Sequence, residues 1–588
     1  MRRGLRAALA ALLIGVAAPA EAQTRVPDQL DQRDEVTGRS VSAALARGDW
    51  PAVETGLAAL PDGPFRRYWT AEYYLAPASP RVEAPALERL LSDGAALPQA
   101  SKLLDLARRR GAVALPPEPV TQPLSPRGYP GRRGEPASVT ARDPQSSELE
   151  EQVRVLVQDD RTAEAEALVE GARGWLAPDA LAQLLTRVGW SFYITGDDRA
   201  AARLGDEAGT LTGDWAVQGD WLGGLADWRA RNCEGARRAF GRVAAAGSAP
   251  EVLAAGHYWA ARAAIACGRP GEATPLYRIA ARMDETFYGL LARAALGIRD
   301  VLDPKARDLK DAWGHLKGRD TVRLAVALAE MGEDERADAA LRWQARLAGS
   351  EDYDDLIVLA GALGLPRAQM WLGANLPSGA VARAAARFPA PAWTPDGGWR
   401  VSRSLVFAHT LQESGFRSTV RSAADARGLM QVRPIAARDV DNRRGTTVRN
   451  GDLFDPVTNL EYGQSFLERL RDLSDSGGLL PKVIAAYNAG PTPLARWNVR
   501  TDLGADPLLW IESISYRETR AYVPIILRNF WMYEGAGADG RGSREALAQG
   551  LWPRFPGQRG PSAVRIAPDG RASAVTVANA AGASRSAN

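Results

Sequence analysis

Ser404-Leu405-Val406-Phe407-Ala408-His409-Thr410-Leu411-Gln412-Glu413-Ser414-Gly415-Phe416 reads as one helix that stops at a glycine. Gly just past the last turn supplies the left-handed cap that a helix C-terminus favours. Glu413 then falls in the last turn, where the helix dipole opposes a carboxylate. Fifteen residues on, Gly428-Leu429-Met430-Gln431 predicts a tight turn leading into apolar residues. Phe407, Leu411, Phe416, Leu429 and Met430 are available to wall Glu413 from water. Desolvation raises a carboxyl pKa, as a general acid working near neutral pH requires. A lone Glu at a helix end is more commonly solvated, so the pattern alone leaves catalysis and decoration both open.

Around this helix, residues 389–535 read as a compact domain, entered through the proline-rich Phe388-Pro389-Ala390-Pro391. Residues 148–388 are helical and repetitive. Asp159-Asp160-Arg161 recurs as Asp197-Asp198-Arg199, Trp190 as Trp228, and Glu234-Gly235-Ala236 as Gly271-Glu272-Ala273, at a spacing of about 36–38 residues. Leu324–Trp343 adds another repeat-like segment. Such spacing predicts helical hairpins that each bury one face on the next, giving a superhelical stack. The fold class is therefore all-α. Residues 23–114 are Ala/Leu-rich and helical, whereas 115–147 are dense in Pro, Gly, Ser and Arg and read as a linker or disordered insertion. Residues 536–588, poor in aromatics, read as a disordered tail.

The first 22 residues combine Arg2, Arg3 and Arg6, an apolar run at Ala7–Ala18 and Ala20-Glu21-Ala22. This is the layout of a cleavable signal peptide, with an apolar run too short to span a bilayer. No Cys follows the run, which argues against a lipid anchor, and no later apolar stretch is long enough for a transmembrane segment. The expectation is export to a bacterial periplasm. Cys233 and Cys267 are the two cysteines; an oxidising compartment permits a bridge, and two buried thiols are an equal alternative. Apolar residues at 46%, charged residues at 24% and a net charge of +3 leave no basic footprint for nucleic acid. No metal or organic cofactor is implied.

Glu413-Ser414, Ser422 and Gly428-Leu429-Met430-Gln431 together resemble the signature of the soluble lytic transglycosylases. The likeness continues through Asp455-Pro456, Asn459, Gly463 and Ala485-Ala486-Tyr487-Asn488-Ala489-Gly490-Pro491. It closes on Tyr516, Glu518-Thr519-Arg520 and Tyr522-Val523. Phe287-Tyr288-Gly289 is similar to a segment these enzymes carry before the catalytic domain, and the helical stack resembles their superhelical region. The resemblance implies a goose-lysozyme-like catalytic domain acting on peptidoglycan glycan strands, with cell-wall synthesis or secretion-machinery proteins as candidate partners.

Position by position, the resemblance makes Glu413 the acid/base and sets Ser422 and Gln431 near the scissile sugars. Met430 matches the groove wall, Tyr487-Asn488 a pair lining the site, and Glu518 a second carboxylate in the cleft. A single Glu protonates the glycosidic oxygen in that family. It then takes the proton of the MurNAc 6-hydroxyl as that oxygen attacks the anomeric carbon, giving a 1,6-anhydro sugar. Tyr487 is the group expected to hold Glu413 or the developing charge.

Three residues depart from the family pattern. Asp425 stands where Gly is usual and tolerates a left-handed turn. Arg433 stands where an apolar residue is usual. His409, one turn before Glu413, stands where an aliphatic is common; it reads as a core or hydrogen-bonded histidine, and a charge on it would lower the Glu413 pKa. Trp497, Trp510 and Trp531 are candidates for sugar stacking or for core. Two rival readings stand beside the transglycosylase. One is a hydrolytic muramidase with Asp425 or Glu518 activating water, and the other a non-catalytic peptidoglycan-binding scaffold.

Overall fold

The computed structural model describes residues 26–93, 96–126, 134–298, 307–347, 349–381, 383–444, 452–499, 504–535, 542–567 and 571–575. The signal peptide expected at 1–22, part of the 115–147 insertion and the end of the expected tail lie outside the described residues. The all-α class is borne out. Among the described residues the strands are short: β1 (Leu124–Pro126), β2 (Asn375–Pro377), β3 (Trp552–Pro553), β4 (Ala563–Ile566) and β5 (Ala572–Val575). β1 pairs antiparallel with β2, and β3-β4-β5 form an antiparallel sheet. No described helix is long and apolar enough to cross a membrane.

The chain divides into two compact units, one joining the chain up to Pro123 with Ala306–Ala368, the other joining Leu124–Lys305 with the chain from Gln369 onward. In the first, the Glu330 carboxylate accepts the backbone N–H groups of Gln29 and Leu30 at 2.7 and 3.0 Å. Arg336 pairs with Glu72 at 2.6 Å and lies over the fully buried Trp69. These contacts correct the expectation of one continuous stack over 148–388: residues 306–368 complete the N-terminal helical unit instead.

In the second unit the repeat has a structural basis. Asp160, Gly196, Arg231 and Gly268 all adopt positive φ (58°, 102°, 60° and 74°). Each stands two residues before the next helix, at Thr162, Asp198, Cys233 and Pro270. The left-handed residue reverses the chain and the residue after it caps the new helix, as when Asp197 accepts the Ala200 N–H at 3.0 Å. This register corrects two of the expected equivalences. Asp160 is the left-handed residue of its turn whereas Asp198 already lies in a helix, and Trp190 and Trp228 stand at different distances from their turns. Glu234-Gly235-Ala236 and Gly271-Glu272-Ala273 are in true register.

Cys233 opens one helix and Cys267 caps another, so the repeated turns put both at the same end of neighbouring hairpins. They form a disulfide with a Cα–Cα distance of 5.5 Å. Closing a loop between residues 34 apart stabilises by about 4 kcal/mol on the chain-entropy account.

The described part of the 115–147 insertion is anchored rather than free. The Gln183 amide oxygen accepts the Val139 N–H at 2.7 Å, the Trp215 indole donates to the Ala137 carbonyl at 3.0 Å, and the next helix already begins at Pro144 under an Asp143 cap. The tail expected from 536 is also corrected. Gly542–Ala548 is helical, and Trp552 is fully buried, its indole donating to the Gly504 carbonyl at 2.7 Å. Phe555 donates its N–H to the Gly478 carbonyl at 2.8 Å. Few apolar residues suffice here because Leu547, Leu551, Trp552 and Phe555 all point inward.

Several contacts dock the last hairpins onto the C-terminal domain. Asp506 caps the helix Pro507–Glu512 with one oxygen, and with the other accepts from the Trp228 indole and Arg262, at 3.1 and 2.8 Å. The Tyr288 hydroxyl donates to Glu512 at 2.5 Å, and Phe287 stacks on Trp531 at 5.2 Å. Arg528 meets Glu251, both buried, at 3.4 Å. Trp510 and Trp531 are therefore core, each 3% exposed, while the half-buried Trp497 donates to the Ser515 hydroxyl.

Candidate active site

The helix Arg403–Glu413 ends at Glu413, and Gly415 and Phe416 both take positive φ (56° and 61°), turning the chain back on itself. Phe416 thereby buries its ring against Phe407 at 5.9 Å. The helix packs along Arg517–Gly535, which brings Tyr522 to Glu413. The Tyr522 hydroxyl donates to Glu413 Oε1 at 2.5 Å, and His409 Nδ1 lies 2.9 Å from the same hydroxyl. His409 is buried, its ring 4.4 Å from that of Tyr487. Burial pushes the His409 pKa down to about 3, so the imidazole is neutral and adds no positive charge beside Glu413. Burial, then the Glu413 charge, drive the Tyr487 and Tyr522 hydroxyls well above their ordinary pKa, so both remain neutral donors.

Tyr487 does not take the role expected of it. Its hydroxyl donates to the Met430 carbonyl at 2.8 Å, fixing the loop rather than the carboxylate. Tyr522 holds Glu413 instead. It stood in the quoted motif without an assigned role, and spacing gave no sign that the last helix would return to Glu413.

The loop 420–432 is built around Asn459, which is fully buried. Its amide donates to the carbonyls of Arg427 and Leu453 at 2.9 and 2.7 Å, and its oxygen accepts the Met430 N–H at 2.8 Å. Gly428 must be glycine: its φ is +70°, and a Cβ would come within 2.2 Å of the Leu453 carbonyl oxygen. Gly463 must be small because a Cβ would lie 2.1 Å from Met430 Sδ. That same contact corrects Met430, whose side chain is fully buried core beneath the groove rather than its wall. Close packing of Met430 onto Gly463 explains why both belong to one motif.

Ser422 accepts the Ala426 N–H through its hydroxyl at 3.0 Å, closing the loop. Gln431, at φ 48°, donates its amide to the Gly428 and Val420 carbonyls at 2.9 and 3.2 Å. Asp425 takes the left-handed φ of 60° anticipated for it. Arg427 grips both its oxygens at 2.9 Å and Arg421 adds a contact at 2.6 Å. These guanidinium groups, Arg427 first, hold its carboxyl below the usual range, which makes Asp425 a poor base for activating water.

A cleft of about 480 Å³ is lined by Gln431, Arg433, Phe466, Tyr487, Asn488 and Gly490. A second, of about 770 Å³, is lined by Asn488, Ala489, Tyr516, Glu518 and Thr519, with Val157 and Gln158 of the helical stack. The two meet at Asn488-Ala489, and the first lies in the size range of ligand sites. Asn488 donates to Glu518 at 3.3 Å and accepts from the Thr519 hydroxyl at 2.5 Å. Arg520 lies 3.8 Å over the Trp190 ring. The structure thus gathers Gln431, Tyr487, Asn488 and Glu518 along two adjoining clefts, while Glu413 is held by Tyr522 and is not among their lining residues. It places Ser422 within the loop scaffold and Met430 in the core.

Residues 395–506 match the family model described as Transglycosylase SLT domain. The soluble lytic murein transglycosylase of Salmonella typhimurium is 31% identical over 161 residues, covering 26% of this chain and 23% of that protein. The membrane-bound lytic murein transglycosylase C of Salmonella typhi is 39% identical over 105 residues, covering 16% of this chain and 29% of that protein. The matched stretch thus spans about a quarter of the length of these curated relatives. The crystal structure of the 70 kDa soluble lytic transglycosylase of Escherichia coli superposes with a TM-score of 0.55 at 17% identity, covering 89% of this chain and 99% of that one. That likeness carries the fold: an all-α, helical-repeat architecture with a lysozyme-like domain. What the comparisons establish is therefore local: residues 395–506 carry the match to the Transglycosylase SLT domain model.

Proposed function

We propose that this protein is a lytic murein transglycosylase that cleaves the MurNAc-β-1,4-GlcNAc bond of peptidoglycan and leaves a 1,6-anhydro-MurNAc end. The observation that carries the reading is Glu413, a half-buried carboxyl group held by a neutral, buried tyrosine, in a domain whose motifs and family match agree. Glu413 donates its proton to the glycosidic oxygen as the bond to the anomeric carbon breaks and the GlcNAc hydroxyl leaves. The substrate's own N-acetyl group supports the positive charge at that carbon. The ionised Glu413 then accepts the proton of the MurNAc 6-hydroxyl as its oxygen bonds to the same carbon. The proton lost in the first half is regained in the second, and no water is consumed. Tyr522 serves this cycle because a neutral donor stabilises the ionised carboxylate between the two steps.

Gln431, Tyr487, Asn488 and Glu518 supply groove contacts to the strand, and Arg433 adds a positive charge at the rim. The layout of residues 1–22 supports action in the periplasm, with glycan strands as substrate and cell-wall synthesis or secretion-machinery proteins as candidate partners. The test is mass spectrometry of the muropeptides released from purified peptidoglycan by the mature protein and by Glu413→Gln. The expected result is anhydro-MurNAc ends from the wild type alone. Reducing ends would point to a hydrolase, and no release by either protein would point to a scaffold.

A further inference from the structure

His409 has a use that its burial alone does not explain. It lies one turn before Glu413 on the same helix, so both side chains face the same neighbours. The titratable groups around it are Glu413 on its own helix, Tyr487 on Leu480–Ala489, and Tyr522 on Arg517–Gly535, with Glu518 on that last helix acting on Tyr522. Nδ1 is 2.9 Å from the Tyr522 hydroxyl, whereas Nε2 is buried with no hydrogen-bond partner among the described residues. A side chain present only to fill space would not carry that unpaired nitrogen, whose desolvation an aliphatic group avoids.

Counting protons fixes the arrangement. Tyr522 has one O–H, and two groups stand within hydrogen-bond distance of its oxygen. When Glu413 is ionised it only accepts, so the Tyr522 proton goes to Glu413 Oε1. His409 Nδ1 must then carry its own proton and donate to the Tyr522 oxygen. A neutral imidazole has a single N–H, which leaves Nε2 as the bare, unpartnered nitrogen. In the opposite tautomer Tyr522 would donate to Nδ1 and turn a lone pair toward the carboxylate.

Resting on the lytic-transglycosylase reading, we propose that His409 is a positioning residue for that reaction: as the Nδ1–H tautomer it aims the Tyr522 hydroxyl at Glu413 and so stabilises the ionised, base form. It does this without adding charge, which would hold Glu413 ionised and spoil the acid step. Tyr487, its ring tilted 48° against the imidazole at 4.4 Å, packs beside it and limits its rotation.

His409→Leu removes the donor and keeps an apolar filler. His409→Asn keeps an N–H where Nδ1 stands. With the His409 N–H no longer aiming the Tyr522 hydroxyl, the ionised form of Glu413 loses support and its proton is held more tightly. Because the first step uses the protonated acid, the upper limb of the kcat/KM pH profile reports that ionisation. For His409→Leu the expected result is an upper limb moved up by roughly half to one pH unit and a kcat loss of about 5–10-fold at nearly unchanged KM. His409→Asn restores both toward wild type. An unmoved limb with wild-type kcat in His409→Leu overturns the proposal, as does failure of His409→Asn to rescue while folded to the same melting temperature. An activity-independent arm is ¹⁵N NMR of histidine-labelled wild type. An Nδ1–H signal for His409 across pH 5–8 is expected, and an Nε2–H or doubly protonated ring there overturns it. Absence of anhydro products from the wild type would instead sink the transglycosylase reading, leaving the NMR arm to decide the tautomer.

Discussion

Tyr522→Phe removes one oxygen and little else. The ring occupies a buried slot, 3% exposed, that phenylalanine fills equally well. Two hydrogen bonds go with the oxygen: the one donated to Glu413 at 2.5 Å and the one accepted from His409 at 2.9 Å. On the proposed mechanism the first is made to a group that becomes an anion during the cycle, and bonds to charged groups are worth about 1.5–3 kcal/mol. At 1.36 kcal/mol per decade, a stabilisation lost only in the ionised form slows turnover by roughly 10–150-fold. The second loss falls on stability, because the His409 N–H is left unpaired in the interior at about 1–3 kcal/mol.

The two effects separate experimentally. Initial rates of muropeptide release from purified sacculi give the catalytic loss, and a denaturant titration of the same preparations gives the stability loss. The expected outcome is a large fall in kcat in a protein that is still more than 95% folded under assay conditions, at most about 3 kcal/mol less stable. A rate within threefold of wild type would refute the claim that Tyr522 supports the carboxylate. It would return Tyr487 to that role.

Two further predictions concern the frame around the site. Burial raises the Glu534 carboxyl to about 9, so it is neutral in the fold and ionises on unfolding. Its contribution is therefore complete below the ordinary carboxyl pKa and is lost as pH climbs toward 9. Up to about 4 kcal/mol is lost between pH 5 and 8, and Glu534→Gln should flatten that slope in denaturation midpoints measured at both pH values. Trp552→Ala should cost about 3–5 kcal/mol, read as a fall in melting temperature. A change under 1 kcal/mol would mean that the segment after 542 is an appendage rather than part of the domain.

Local signals in the sequence were legible where one residue's chemistry decides local geometry. Gly415 stopping the Glu413 helix, Asp425 accepting a left-handed turn and the 36-residue rhythm of turns all depend on backbone preferences that a few positions express. The register of the repeat was less legible. Identical tripeptides such as Asp159-Asp160-Arg161 and Asp197-Asp198-Arg199 occupy different places because the left-handed position accepts Asp, Gly or Arg alike. The chain's division into units was not legible at all. Residues 306–368 have the same helical texture as the stack, and only long-range partners such as Glu330 with Gln29 reveal which unit they complete. At the site, motif likeness singled out Glu413, Tyr487 and Asn488. It could not rank two tyrosines 35 positions apart in the chain, since that ranking depends on how one helix crosses another. Met430 was misplaced for a related reason: its backbone serves the loop, accepting from Tyr487, while its side chain is turned into Gly463.

The groove and the helical stack are also harder to separate than the family match over 395–506 suggests. Val157 and Gln158 help to line the groove beside Asn488 and Glu518. The stack also partners polar groups of the C-terminal domain: Tyr288 answers buried Glu512, Glu251 answers buried Arg528, and Trp228 with Arg262 answer half-buried Asp506. A buried charge stripped of its partner costs far more than the pair contributes when complete. Cutting the chain before residue 389 would remove these partners from buried Glu512 and Arg528 and from half-buried Asp506, and would expose the face of Trp531 that Phe287 covers. The Cys233–Cys267 bridge lies in the hairpins that carry Trp228 and Arg262, so it constrains the same elements that meet Asp506. On the proposed function the carboxylate chemistry rests on a short helix and a tyrosine, but the clefts beside them are jointly built, which gives the stack a structural reason to travel with the C-terminal domain.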